Sequence, residues 1–224
     1  MFIDLDLEEA MFISESKNRF ICTVLIKNEV VECYVPSSSK LNKYVNLKNK
    51  GVLISRNKNS KGRTLYSLFA VKYYGKYILL NLNMVNKLLG SYLKSQKGIE
   101  IKFEGYISNY KADLLVTDLQ TVQETIIEAK GIIATSRSIQ FPLINSQRAI
   151  SQLYTLKSLL KEGHPISYYL VSLSPIVQTI TLDQTHHEYY TLLVECIDLG
   201  LKLNGVSIHY NGNSFKFNKI KIIF

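Results

Sequence analysis

KADLLVTD (residues 111–118), followed by VQETIIEAKGII (residues 122–133), is the stretch that decides the fold. Both segments are apolar in the manner of strands, and each carries an acid of the sort such a setting excludes unless it is paired or metal-bound. Asp113 reads as lying inside the first strand, and Glu128-Ala129-Lys130 as closing the second. The two-residue period of a strand puts the Glu128 carboxylate and the Lys130 ammonium on one face, which Asp113 on the neighbouring strand can reach. Two carboxylates and a backbone carbonyl are hard oxygen ligands for Mg²⁺ or Mn²⁺, with water completing the octahedron. A lysine beside them can orient or deprotonate an attacking water and offset charge on a phosphate. Glu104, one strand earlier, is the third candidate ligand. The same Glu-x-Lys also fits a surface ion pair. The two readings differ in whether Asp113, Glu128 and Lys130 converge at a cleft.

Upstream of this stretch, Met84, Val85, Leu88, Leu89, Tyr92 and Leu93 recur at helical spacing over residues 83–95, and IEIKFEGYI (99–107) reads as a strand. Downstream, Ser146 can cap a long helix whose apolar stripe is Ala149, Ile150, Leu153, Leu156 and Leu160, with Gly163 to stop it. ISYYLVSLS (166–174) is a near-continuous apolar strand of the buried type. Residues 83–174 therefore spell helix, three strands, helix, strand. That order, with D…ExK on its second and third strands, is similar to the PD-(D/E)xK nuclease core. A helix over 187–203 and two last strands, VSIHY and FKFNKIKIIF, complete this half.

The first 82 residues follow another grammar. FICTVLIKNEVVECYV (20–35) reads as a hairpin turning at KNE, and GVLISR (51–56), TLYSLFAVKYY (64–74) and KYILLNL (76–82) continue it. Five short strands on basic loops predict a small open barrel of the oligonucleotide-binding (OB) kind. The expected fold is α+β in two domains with separate cores: an OB-like barrel over 1–82 and a nuclease-like α/β domain over 83–224.

Charge points to a polyanion. The chain has 27 Lys and Arg against 18 Asp and Glu, a net +9, yet residues 33–99 hold 13 basic residues and no acid. Ordinary solvation mixes signs, whereas a surface that displaces counterions from phosphates does not. Lys40, Arg56, Lys58, Lys61 and Arg63 are the candidate contacts on this stretch, and Tyr66, Phe69, Tyr73, Tyr74 and Tyr77 among them are either core or base-stacking. Charge alone does not separate DNA from RNA. With 46% hydrophobic and 20% charged residues, disorder is excluded as the main state. No run approaches the ~18 apolar residues of a membrane span, and the first residues carry acids where a secretory signal has Lys or Arg. Cys22, Cys33 and Cys196 form no CxxC pair. A cytoplasmic protein with reduced thiols is expected. His186-His187 lacks a third ligand in the sequence, and no phosphate-binding glycine motif occurs.

In order along nearly the whole chain, the sequence also resembles the sugar fermentation stimulation protein A (SfsA) family. Lys17-Asn18-Arg19-Phe20 matches that family's early K/R-x-R-F signature, and Val35-Pro36 with Ser37-Ser38-Ser39-Lys40-Leu41 stands at its C-P-N-T-G loop. Residues 81–89 (NLNMVNKLL) resemble its N-T-x-x-x-N-x-L-V helix start, Lys111-Ala112-Asp113 its S-R-x-D, and Glu128-Ala129-Lys130-Gly131 its E-V-K-N. Phe141-Pro142 with Gln147-Arg148 aligns with its F-P-D-A-x-x-x-R-G-x-K-H-L, and Gly205-Val206-Ser207-Ile208 with a late G-V-x-I. The departures are Ser-Ser-Ser for N-T-G, Leu143 for the Asp after F-P, Lys111 for Arg, and Ser151-Gln152 for K-H. Asp113, Glu128, Lys130 and Glu104 are retained. The resemblance implies a DNA-binding protein with an N-terminal OB barrel and a C-terminal PD-(D/E)xK nuclease-like domain, and it adds Lys17, Arg19, Gln147 and Arg148 to the candidate DNA contacts. The expectation is a Mg²⁺- or Mn²⁺-dependent nuclease acting on DNA, with a non-catalytic DNA-binding or regulatory protein on the same scaffold as the alternative. A homodimer is compatible with this, a membrane partner is not.

Overall fold

The computed structural model describes residues 5–37, 40–57, 63–95, 97–144 and 146–224. Lys58, Lys61, Ser38 and Ser39 lie outside the described residues. Strands β1 (Leu7–Glu15), β2 (Ile21–Ile26), β3 (Glu29–Tyr34), β4 (Gly51–Arg56) and β5 (Tyr66–Tyr73) form a ring of pairings. β1 lies between β2 and β4, β5 pairs with β4, and β3 pairs with both β2 and β5. The β2–β3 turn is Lys27-Asn28, both at positive φ (50° and 66°), the type I′ geometry whose twist matches a hairpin. The sequence pattern does not announce β1. Glu8, Glu9 and Glu15 interrupt its apolar character, and only Ala10 and Phe12 are buried, two residues apart as a strand requires.

The chain leaves the ring through β6 (Lys76–Leu79) and enters helix α1 (Val85–Lys94). Then come β7 (Ile99–Phe103), the short β8 (Tyr106–Ile107) and β9 (Tyr110–Lys111), β10 (Leu114–Asp118), β11 (Glu124–Ile132) and β12 (Ser138–Phe141). Helix α2 (Gln147–Lys161), β13 (Ile166–Ser172), β14 (Thr179–Leu182) and helix α3 (His187–Asp198) follow. The chain ends with β15 (Lys202–Tyr210), β16 (Phe215–Lys219) and β17 (Lys221–Ile223). β7, β10 and β11 are antiparallel neighbours, and β11, β13 and β15 are parallel across α2 and α3. β12, β14 and β17 make a separate small sheet. Among the described residues no helix is long and apolar enough to cross a membrane, and the three cysteines are buried and unbridged.

Two expectations need correction. The halves do not have separate cores: a 12-stranded sheet runs through both, joined where Tyr77 of β6 pairs with Tyr210 of β15. One apolar cluster includes Val24, Ile54 and Phe69 of the ring together with Leu88, Leu114, Ile127, Val171 and Ile208. Phe69 of β5 packs edge-on against Tyr210 of β15, with ring centres 5.3 Å apart. The last helix also stops at Asp198, well before residue 203, because Gly200 takes a φ of 103° and the chain turns directly into β15.

The strand period explains which side each residue serves. Along β11, Ile127 and Ala129 face the shared core and α1, whereas Ile126 and Ile132 belong to a second core under α2 and α3. Glu128 and Lys130 are thus on the α2 face. Ser146 caps α2 as read, its hydroxyl accepting the Ala149 N–H at 3.3 Å. Ser146→Ala is expected to cost about 1 kcal/mol in a urea titration, with secondary structure unchanged.

Candidate functional site

Asp113 lies in the bend just before β10, one residue outside the strand in which the sequence places it. Continuing the β10–β11 register from Leu114↔Ile127 sets it opposite Glu128. There its side chain takes over part of the ladder: Oδ2 accepts the Ala129 N–H at 2.9 Å. Oδ1 accepts from Asn86 Nδ2 of α1, also at 2.9 Å, so the helix and the strand together fix the carboxylate. The close approach of that helix depends on Gly131, where a Cβ would sit 2.7 Å from both Leu82 and Val85.

Glu128 is fully buried. The Tyr110 hydroxyl donates to its Oε1, Gln152 Nε2 donates to Oε2 at 2.6 Å, and Lys130 Nζ stands 3.8 Å from Oε2. Gln152 also donates to the Tyr110 oxygen at 2.9 Å and accepts from Lys130 Nζ. Burial, with the Asp113 charge adding to it, pushes the Glu128 carboxyl up to about 7, against the opposing pull of Lys130 and Tyr110. Burial and the neighbouring Glu128 likewise push the Tyr110 phenol upward. Lys130 remains about a quarter exposed, its ammonium 5.7 Å above the Tyr168 ring.

Asp113, Asn86, Lys130 and Gln152 border a cleft of about 700 Å³ that is also lined by Tyr44 from the N-terminal half and by Arg148 on the first turn of α2. The loop that leads to Tyr44 is held at two points. Pro36 O accepts the Leu82 N–H at 2.9 Å, and Glu15 Oε1 accepts the Leu41 N–H at 2.5 Å. No acid occupies the first turn of α2, so its positive end and Arg148 face the cleft uncompensated by that turn.

The chain matches the family model for the SfsA N-terminal OB domain over residues 15–80 and that for the sugar fermentation stimulation protein RE domain over residues 80–214. The chain belongs to the SfsA family. Sugar fermentation stimulation protein homologues similar to it include those of Thermosipho melanesiensis, 23% identical over 224 residues (99% of this chain, 97% of the relative), and Clostridium beijerinckii, 25% over 197 residues (85% and 84%). A structure of Pyrococcus furiosus SfsA in complex with Ca²⁺ has a TM-score of 0.83 to this chain at 17% identity, covering 100% of this chain and 98% of that one. The whole SfsA fold is therefore present.

Of the residues the sequence selects in this SfsA chain, Asp113, Glu128 and Lys130 are brought together. Glu104 is not part of their network. It sits in a turn at positive φ (52°), and its exposed carboxylate pairs with Lys111 at 2.5 Å. Among the described residues no group of three or more His, Cys, Asp and Glu side chains is placed to hold a metal. Arg148 lines the cleft, Gln147 is exposed beside it, and Lys40 opens the loop that carries Tyr44. Lys17 and Arg19 are exposed in the β1–β2 turn, with the Arg19 guanidinium 4.6 Å from the Phe20 ring centre.

The acid-free run is not acid-free in space. Strand pairing brings Glu32 of β3 to 3.5 Å from Arg63, and Arg56 lowers the carboxyl of Glu8 in β1 as a minor contribution beside Lys27 and Tyr66. Three site residues escape the sequence reading: Asn86, Tyr110 and Gln152. Asn86 falls within the NLNMVNKLL helix start and Gln152 stands at the family's K-H, so both had a signal. Tyr110 had none, since a lone aromatic on a two-residue strand announces no role.

Proposed function

We propose that this SfsA-family protein binds DNA and hydrolyses its phosphodiester bonds with Mg²⁺ or Mn²⁺ at Asp113, Glu128 and Lys130. The observation that carries this reading is that Asp113 adjoins Glu128, and Glu128 adjoins Lys130, beside a cleft that both halves line. The order α1, β7–β10–β11 antiparallel, α2, parallel β13 supports a nuclease-like α/β core for 83–224, with the ring of 1–82 as an OB barrel that supplies DNA affinity.

The donor chemistry fits a hard cation. Each Asp113 oxygen and each Glu128 oxygen has accepted one hydrogen bond, which leaves lone pairs on both carboxylates, and Mg²⁺ keeps several waters and needs only one or two protein carboxylates. The Ca²⁺ complex of the Pyrococcus furiosus relative supports an oxygen-ligand cation on this fold. A cation held there would supply Lewis acidity to a phosphate oxygen and acidity to a water. Asn86 and Ala129 orient Asp113, Gln152 and Tyr110 orient Glu128, and Lys130 stands where it can hold the water and the phosphate charge. Arg148 and the capped N-terminus of α2 attract the phosphate itself.

Incubation with single-stranded and duplex DNA tests the proposal. Cleavage is expected with Mg²⁺ or Mn²⁺ and not with EDTA. Failure to cut either polymer would favour binding without catalysis, a reading supported by Gln152 bridging Lys130 and Glu128 directly. Binding itself should weaken linearly in log[salt]. Arg148→Ala should reduce the duplex slope by ~0.9, the value of one phosphate contact, whereas Arg63→Ala, already paired with Glu32, should change it less.

A further inference from the structure

The β5–β6 hairpin turns on Tyr74-Gly75, both at positive φ (48° and 72°), between the paired residues Tyr73 and Lys76. This is the type I′ geometry, which favours Asn or Gly at both central positions and disfavours a bulky aromatic. Yet Tyr74 is 87% exposed, more than any other large hydrophobic residue of the described chain, so no burial offsets its backbone conformation. Its surroundings are built. Tyr73 packs edge-on to Tyr74 with ring centres 6.1 Å apart and donates its hydroxyl to Asn46 O at 2.7 Å. Lys50 Nζ lies 4.5 Å over the Tyr73 ring, and Lys72 Nζ lies 5.9 Å from the centre of the Tyr77 ring.

The charges differ from those at the other end of the same strand. Arg56 and Arg63 lie near the Tyr66 end of β5, where Glu8 and Glu32 meet them. Lys50, Lys72 and Lys76 surround the Tyr73 end, roughly 23 Å away at ~3.3 Å per residue, and among the described residues none of them is ion-paired with an acid. From the tip, β6 leads to Leu82, which lines the cleft. The tip is thus no more than about 25 Å along the chain from Leu82 by the same rise.

We propose that the Tyr73–Tyr74 hairpin tip is a stacking site for an unpaired base of a single-stranded nucleic acid, with Lys50, Lys72 and Lys76 holding the flanking phosphates. This deepens the DNA-binding reading above and rests on it. A base has a π-face that an exposed tyrosine can stack against, and its backbone supplies the negative charge that three acid-free lysines attract. A duplex keeps its bases stacked on one another and gives Tyr74 no such face.

The test is fluorescence anisotropy of the full-length protein, in EDTA so that nothing is cut, with a labelled oligothymidine of ~16 nucleotides and a duplex of equal length. Tyr74→Ala and Tyr74→Asn are expected to weaken oligothymidine binding by about 5- to 150-fold, the worth of one stacked base, and to leave duplex affinity within about twofold. Tyr74→Phe and Tyr74→Trp should retain it. Because Asn-Gly is a favoured I′ pair, Tyr74→Asn should melt no lower than wild type, which separates lost stacking from lost folding. A 2-aminopurine in the oligonucleotide should be quenched by wild type and not by Tyr74→Ala. If wild type binds DNA and Tyr74→Ala binds oligothymidine equally well, or loses duplex binding to the same degree, the stacking site is refuted while the broader reading stands. If wild type binds neither polymer, both fall.

Discussion

Asp113→Ala is expected to lower Mg²⁺-dependent DNA cleavage by at least ~10²–10³-fold, the range seen when one preorganised electrostatic group is removed from an active site. DNA affinity should stay level or rise slightly, because the substitution also removes a negative charge from the cleft. Single-turnover cleavage of a labelled duplex, with affinity measured separately in EDTA, reads both effects. Lys130→Ala should lose cleavage comparably and keep the cation, since its ammonium repels rather than ligates it. Glu104→Ala should stay within a few-fold of wild type. Its carboxylate is committed to Lys111 on the surface, so a loss as large as that of Asp113→Ala would contradict the two-carboxylate site.

The second large effect is a link between pH, stability and metal. The Glu128 carboxyl is held at about 7 in the fold, chiefly by burial, against an ordinary 4.5. Between those values the folded chain keeps a proton that the unfolded chain has released. This group's contribution to stability is therefore complete below about pH 4.5 and is lost as pH rises through about 7, by on the order of 3 kcal/mol at most. Urea titrations at pH 5 and pH 8 should show wild type losing that stability and Glu128→Gln losing far less. A cation favours the charged form and reverses the penalty. Mn²⁺ should accordingly raise the wild-type Tm more at pH 8 than at pH 5, and raise neither Asp113→Ala nor Glu128→Gln comparably.

Much of this was legible in the residues. GVLISR gives β4 with its bounds, Ser146 caps α2, and the acids of KADLLVTD and IIEAKG mark Asp113 and Glu128, because an acid inside an apolar strand needs a partner. What escaped was long-range. The joining of the halves rests on the Tyr77↔Tyr210 pairing and on a shared core, and no local periodicity encodes a contact between residues so distant in sequence. Glu104 matched a motif, yet its positive φ turns it away to Lys111. Tyr110 and Gln152 meet at Glu128 only through the packing of α2 on β11. The 67-residue acid-free run of residues 33–99 misled in one respect: Glu32 borders it in sequence and Glu8 meets it across β1 and β4. Charge in sequence is one-dimensional, and a strand ring brings distant acids alongside it.

The most direct measurement is an anomalous difference map from crystals soaked in Mn²⁺. A peak coordinated by both the Asp113 and Glu128 carboxylates, with water at the remaining positions and the Lys130 ammonium outside the coordination sphere, is the predicted result. Absence of manganese at these two carboxylates, with Gln152 still bridging Glu128 and Lys130 at a pH above 7, would contradict the proposed metal centre.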